Sequence, residues 1–120
     1  VDAVDLMQAS HPALAVLTAE RWVHAARLPL CGHDVVYILR CADGSLYTGY
    51  TRDLRQRLRM HQKGKGGHYT RAHLPVTLVG YWMLDSRRVA LRAEYAFKQL
   101  SRLQKLACLA RLDASLTAIF

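Results

Sequence analysis

The sequence predicts an α+β domain: a small three-stranded antiparallel sheet flanked by helices, with an extra helix at the N-terminal end. Three observations predict it. Residues 35–41 and 76–83 are β-branched, aromatic and apolar, as strands are. Asp43-Gly44 is a hairpin turn signal between 35–41 and a second short strand at 46–50. From residue 54 onward the apolar positions instead recur at helical spacing.

The elements follow in order. Ser10 suits an N-cap and Pro12 a first helical turn, and Leu14, Leu17, Val23 and Ala26 fall roughly on one stripe before Pro29, so a helix is expected there. Residues 30–33 read as a linker punctuated by Gly32. After the hairpin, Asp53 with Gln56 three residues on forms a capping-box pattern. Leu54, Leu58 and His61 then place one helical face on the hairpin. Residues 63–68 form a glycine-rich basic loop. A third strand enters through Pro75. A helix from Asp85 or Ser86 carries Val89, Ala93, Ala96 or Phe97, and Leu100, and a last helix from Ser101 carries Leu103, Leu106, Leu109 and Leu112. The expected organisation is an N-terminal helical extension and linker over 1–33, one domain over 34–113, and a tail over 114–120.

Composition bounds the functional classes. At 120 residues the chain has room for one modest core. Its 52% hydrophobic and 22% charged content is that of a globular domain rather than a disordered one. No apolar run approaches the ~18 residues of a spanning helix, and the N-terminal residues lack the pattern of a signal peptide. Cys31, Cys41 and Cys108 form no C-x-x-C pair, which argues against a disulfide framework or structural zinc and for a reducing, cytoplasmic setting. All three are expected as small core or boundary residues.

The net charge of +8 is unevenly spread. Residues 1–33 carry two basic and three acidic residues, whereas 34–120 carry fifteen and six, giving −1 and +9. A positive field confined to one compact module attracts polyanions, nucleic acid before anionic membrane.

The chemistry-bearing positions are Tyr37, Tyr47, Arg57, His61 and Glu94. Tyr37 and Tyr47 lie on two strands joined by a tight turn, so their side chains can emerge on one face. Gly49 leaves room for a phosphate or another backbone to come close. Arg57 and His61 are four residues apart and neighbours on one helix face. Taken singly, each has a plainer reading: half-buried strand tyrosines, a solvated arginine, a core histidine, and a Glu94–Lys98 surface pair. Together and in order they make a site.

Val35-Val36-Tyr37, followed ten residues after Tyr37 by Tyr47-Thr48-Gly49, resembles the paired tripeptides of the GIY-YIG nuclease superfamily. Asp53-Leu54, Arg57-Leu58, His61, Tyr69-Thr70-Arg71, Leu74-Pro75, and the stretch from Ala90 through Glu94, Lys98, Ser101 and Lys105 are similar to its small bacterial stand-alone branch. The likeness covers residues 34–108. Val35 in place of the name-giving glycine, Gln62 in place of a frequent asparagine and His68 in place of a common lysine are departures.

The resemblance implies metal-dependent hydrolysis of DNA phosphodiester bonds, in repair or on branched or single-stranded DNA, with RNA left open. The family uses a helix glutamate as its one protein metal ligand, which puts Mg²⁺, with Mn²⁺ as substitute, at Glu94; one carboxylate completed by waters suits that ion. Arg57 suits the non-bridging phosphate oxygens, where a planar fork outperforms an ammonium. Tyr37, with an ordinary pKa near ~10, serves as general base only through a proton relay, for which His61 is the candidate, and the two roles could be exchanged. Tyr47 would orient water or phosphate. Lys63, Lys65, His68 and Arg71 flank a loop whose backbone amides are expected to meet phosphates, and Tyr69 either stacks on an unpaired base or belongs to the core. A domain of this size leaves substrate specificity low unless a protein partner supplies it. The alternative is a nucleic-acid-binding module of the same fold that cleaves poorly.

Overall fold

The structure, a computed structural model, describes residues 11–25, 27 and 31–112. At its centre is β2 (Asp34–Arg40), paired antiparallel on one side with β3 (Leu46–Thr51) and on the other with β4 (Thr77–Leu84). Its Val-Val-Tyr-Ile-Leu run does not alternate because both faces of this central strand are covered; Val36, Tyr37, Ile38 and Leu39 are all fully buried. Gly44, at a φ of 84°, turns the hairpin, and the Asp43 carboxylate accepts from Ser45 N at 3.0 Å. The register sets Tyr37 opposite Gly49 and Leu39 opposite Tyr47, so all four positions share one face of the sheet.

Two helices cover that face. Asp53 caps α1 (Leu54–Gln62), its carboxylate accepting from Gln56 N at 3.1 Å. Leu54 and Leu58 pack from α1 onto Val35, Tyr37, Leu39 and Tyr81. The short α2 (His68–Ala72) follows the glycine-rich loop. On the opposite face lie α3 (Arg87–Lys98), capped by Ser86, and α4 (Arg102–Ala110), whose Ser101 and Gln104 form a reciprocal capping box. Ala90, Ala93, Phe97 and Leu109 meet Val36, Ile38 and Trp82 there. The sheet is thus the middle layer between two hydrophobic clusters, and β3 forms one of its edges.

The sheet has four strands, in the order β1-β4-β2-β3, rather than three. The additional strand replaces the expected N-terminal helix: the described part of that segment forms two 3₁₀ turns, Pro12–Val16 and Ala19–Arg21, and then β1 (Trp22–His24), antiparallel to β4. Packing decides this against the helical stripe. Trp22 meets Trp82 edge to face at 4.6 Å, and it lies over Gly80, where any Cβ would run into its ring. Arg21 closes the strand end on Asp85 through two bonds of 3.0 and 2.8 Å. Leu14 and Leu17 are buried, as the stripe required, but by the turn geometry. Ser10, Ala26, Pro29, Leu30 and the tail over 114–120 lie outside the described residues.

Two smaller corrections apply. The five-residue α2 was not expected, and of the last helix's stripe Leu103 is 79% exposed while Leu109 is buried as expected, joined by Cys108. Cys41 and Cys108 are buried free thiols, while Cys31 is exposed. Among the described residues no helix is long and apolar enough to cross a membrane.

Candidate active site

The site is built around one phenol. Tyr37, fully buried on β2, directs its hydroxyl to His61 Nε2 at 2.8 Å. His61 comes from the last turn of α1 and is itself fully buried; its other nitrogen, Nδ1, lies 2.8 Å from Thr70 Oγ1 on α2, again a fully buried group. Three elements thus contribute one continuous buried chain, Tyr37–His61–Thr70. Tyr47, half-buried on β3, closes over it with its ring 5.1 Å from the imidazole and 6.3 Å from the Tyr37 ring.

Burial, with Tyr47 beside it, holds the Tyr37 phenol well above its ordinary pKa; the Arg57 guanidinium opposes this through its charge and hydrogen bonding, and the Glu94 carboxylate adds to it. His61 is pushed below its ordinary value by burial and then by the charge of Arg57. Near neutral pH the phenol is therefore protonated and the imidazole neutral. Arg57 and Glu94 belong to α1 and α3, on opposite faces of the sheet, yet both act electrostatically on Tyr37. Tyr37, Tyr47 and His61 are in direct contact, and Arg57 and Glu94 reach the phenol through their charge.

Glu94 is mostly shielded, its side chain 17% exposed, and its Oε2 lies 3.6 Å from Lys98 Nζ one turn along α3. Lys98, Lys105, Leu46, Tyr47, Thr48 and Tyr69 line a cleft of about 220 Å³ over the edge of β3. The Arg102 guanidinium ties α4 to the hairpin turn by donating to Gly44 O at 2.8 Å.

Lys63, Lys65, His68 and Arg71 are exposed around the glycine-rich loop. The loop itself differs from expectation. The amides of Lys63, Gly64 and Lys65 donate internally to Arg59, His61 and Met60 carbonyls at 3.0, 3.0 and 2.8 Å, so they are not free for phosphate. Gly66 has a different task, since a Cβ there would strike the His61 ring.

A model of the GIY-YIG catalytic domain family matches residues 33–107, the stretch containing every one of these groups. The chain belongs to the GIY-YIG catalytic domain family. It is 52% identical to a UPF0213 protein of Streptococcus agalactiae over 71 residues, 59% of this chain and 81% of the relative. With a UPF0213 protein of Streptococcus sanguinis it shares 54% identity over 72 residues, 60% of this chain and 83% of that one. Among solved structures, the UPF0213 protein of Bacillus halodurans is 42% identical, covering 72% of this chain and 84% of that chain at a TM-score of 0.42. A protein of E. faecalis is 34% identical, with 77% and 91% covered at a TM-score of 0.48.

In this GIY-YIG domain the glycine of the second tripeptide serves the phenol. A Cβ on Gly49 would sit inside the Tyr37 ring and hydroxyl, so Gly49 is there to admit that side chain rather than a phosphate. Gly49→Ala should therefore destabilise the fold by about 1–3 kcal/mol, the usual cost of overpacking, and displace the Tyr37 hydroxyl from His61. Denaturant unfolding measures the first effect; an unchanged midpoint would contradict the packing described.

Sequence reasoning named Thr70 only as part of a matching stretch and assigned it nothing; it read Lys98 as a surface partner of Glu94 and Lys105 as either part of a basic track or a solvated helix residue. The signal for Thr70 was its place in Tyr69-Thr70-Arg71, between two residues treated as substrate contacts. Its burial against His61 depends on α2, which the sequence did not announce.

Proposed function

We propose that this GIY-YIG protein is a Mg²⁺-dependent nuclease that hydrolyses DNA phosphodiester bonds, with Tyr37, Tyr47, Arg57, His61 and Glu94 as the catalytic set. The observation that carries it is the buried Tyr37–His61–Thr70 chain with Arg57 and Glu94 acting on the same phenol. A buried phenol hydrogen-bonded to a neutral, desolvated imidazole and under the charge of a cation and a carboxylate is an arrangement suited to general base catalysis.

The donor chemistry fits the ion. Glu94 offers one hard carboxylate, and the described residues hold no group of three or more His, Cys, Asp and Glu that would make an all-protein cage. One carboxylate with waters and a phosphate oxygen is how Mg²⁺ is commonly held. Bound at Glu94, it would neutralise charge developing on the phosphate and the leaving oxygen.

The residues then divide the work. At rest the protonated phenol donates a hydrogen bond to His61 Nε2, so Nδ1–H donates to Thr70 Oγ1, which fixes the tautomer. Both ring nitrogens of His61 are engaged, by Tyr37 and Thr70, which places the imidazole behind the phenol as the acceptor of the relay. Tyr37 takes the proton from the attacking water while passing its own to His61. The oxygen–phosphorus bond forms as the bond to the leaving oxygen breaks. Arg57 lowers the cost of the transient phenolate and grips the non-bridging oxygens. Tyr47 orients the attacking water or the phosphate. Repair and the processing of branched or single-stranded DNA are the settings such a reaction serves, and a protein partner would supply the specificity that a single small domain lacks.

The pH profile tests this division. His61 must be neutral to accept a proton, and its pKa is depressed, so cleavage should fall on acidification only below about 6.5. Above that it should hold level across neutral pH, because the raised phenol stays protonated until above ~10. A rate that climbs steadily from pH 7 to 10 would show that bulk phenolate is the working base, contrary to the relay.

A further inference from the structure

Beside the proton relay, the cleft over the edge of β3 has the chemistry of a nucleotide pocket. Its volume of about 220 Å³ falls below the ~300–1,000 Å³ of drug-sized ligand sites, which suits one ring system and no more. Tyr69 stands at its rim, 43% exposed. One face of that ring is backed by His73, 4.4 Å away and tilted by only 24°. His73 is held in turn: its Nδ1 donates to Tyr69 O at 2.6 Å, and its Nε2 lies 3.5 Å from Asp43 Oδ2 on the hairpin turn. Tyr69 is thus a buttressed platform, near-parallel to Tyr47 at 22° and 6.3 Å.

The rest of the lining suits an anionic strand. Lys98 and Lys105 complete the wall, adding positive charge where a strand's backbone would pass. Tyr47 belongs both to this cleft and to the Tyr37–His61 cluster. The pocket therefore adjoins the point where the proposed reaction occurs.

We propose that this cleft binds one unpaired nucleobase next to the scissile phosphate, stacked on Tyr69 beside Tyr47, so that the enzyme acts on strands with a base free of the duplex. The inference rests on the nuclease reading above for its meaning, though not for its test. Stacking on an aromatic face tolerates any base but requires that face to be free, which a paired base inside a duplex does not offer. Selection is thereby for structure rather than sequence.

The test uses oligonucleotides carrying 2-aminopurine, single-stranded or fully paired, with the full chain in EDTA so that nothing is cut. Wild type should quench the single strand on binding and leave the duplex emission, already low from stacking within the helix, unchanged. Tyr69→Leu should abolish that quenching and weaken single-strand binding roughly tenfold or more, as loss of one base stack does, with duplex binding unchanged; Tyr69→Phe should behave as wild type. Thermal unfolding of the exposed-residue variants controls for folding. Equal quenching by wild type and Tyr69→Leu, or equal quenching of single strand and duplex, overturns the proposal. A protein that shows Tyr69-dependent quenching but never cuts in Mg²⁺ would defeat the nuclease reading alone. One that cuts without such quenching would defeat the pocket alone.

Discussion

Glu94→Gln should lower single-turnover DNA cleavage in Mg²⁺ by about a thousandfold or more while DNA stays bound. The expectation comes from the electrostatics of one group. Metal stabilisation of a phosphoryl transition state is worth several kcal/mol, and each ~1.4 kcal/mol is a factor of ten in rate. Glutamine keeps the shape and the helix but offers a weaker, neutral oxygen. Stability should barely respond, because the group lost is half of an i,i+4 pair with Lys98, whose side chain is 46% exposed, and such pairs contribute only ~0.3–0.5 kcal/mol. Comparing cleavage with the unfolding midpoint separates the two. Cleavage near the wild-type rate would show that Glu94 is the surface ion-pair residue it resembles in isolation.

Tyr37→Phe should reduce cleavage by about 10²–10⁴-fold, the usual worth of a positioned acid–base group, and here stability should fall as well. The phenylalanine ring keeps the packing over Gly49. It leaves His61 Nε2 buried without its 2.8 Å partner, at a cost of about 1–3 kcal/mol. Glu94→Gln and Tyr37→Phe thus predict opposite patterns: the first silences the reaction in an intact fold, and the second does so in a weakened one. If Tyr37→Phe cut normally, the proton would have to leave water by a route that avoids the phenol altogether.

The centre of the fold was legible because its signals are local. The 35–41 and 46–50 strands, the Asp43-Gly44 turn and the Asp53 cap each rest on residues within a few positions of one another, and the structure forms them. Convergence of Tyr37, Tyr47, Arg57 and His61 followed from strand parity and helix spacing. What was illegible depends on distant contacts. β1 is three residues long, and its Val23 with Leu14 and Leu17 before it mimics a helical stripe; only Gly80, an odd glycine inside a strand, hinted at Trp22 lying across it. The packing role of the site's glycines was illegible for the same reason. Gly49 and Gly66 accommodate Tyr37 and His61 from inside the fold, and no spacing in the sequence distinguishes that from room left for a phosphate. Thr70 became part of the relay only because α2 returns to the end of α1.

The family assignment carries the reading as far as a catalytic domain; the residues' roles rest on the geometry of the phenol. The most direct measurement is cleavage of labelled flap and single-stranded DNA by the wild-type protein in Mg²⁺ and in EDTA, with binding followed in parallel. The account predicts discrete products in Mg²⁺, none in EDTA, and binding that weakens steeply with salt as lysine and arginine displace counterions. Binding of every substrate with no cutting in Mg²⁺ or Mn²⁺ would contradict it, and would leave a nucleic-acid-binding module with the form of a nuclease.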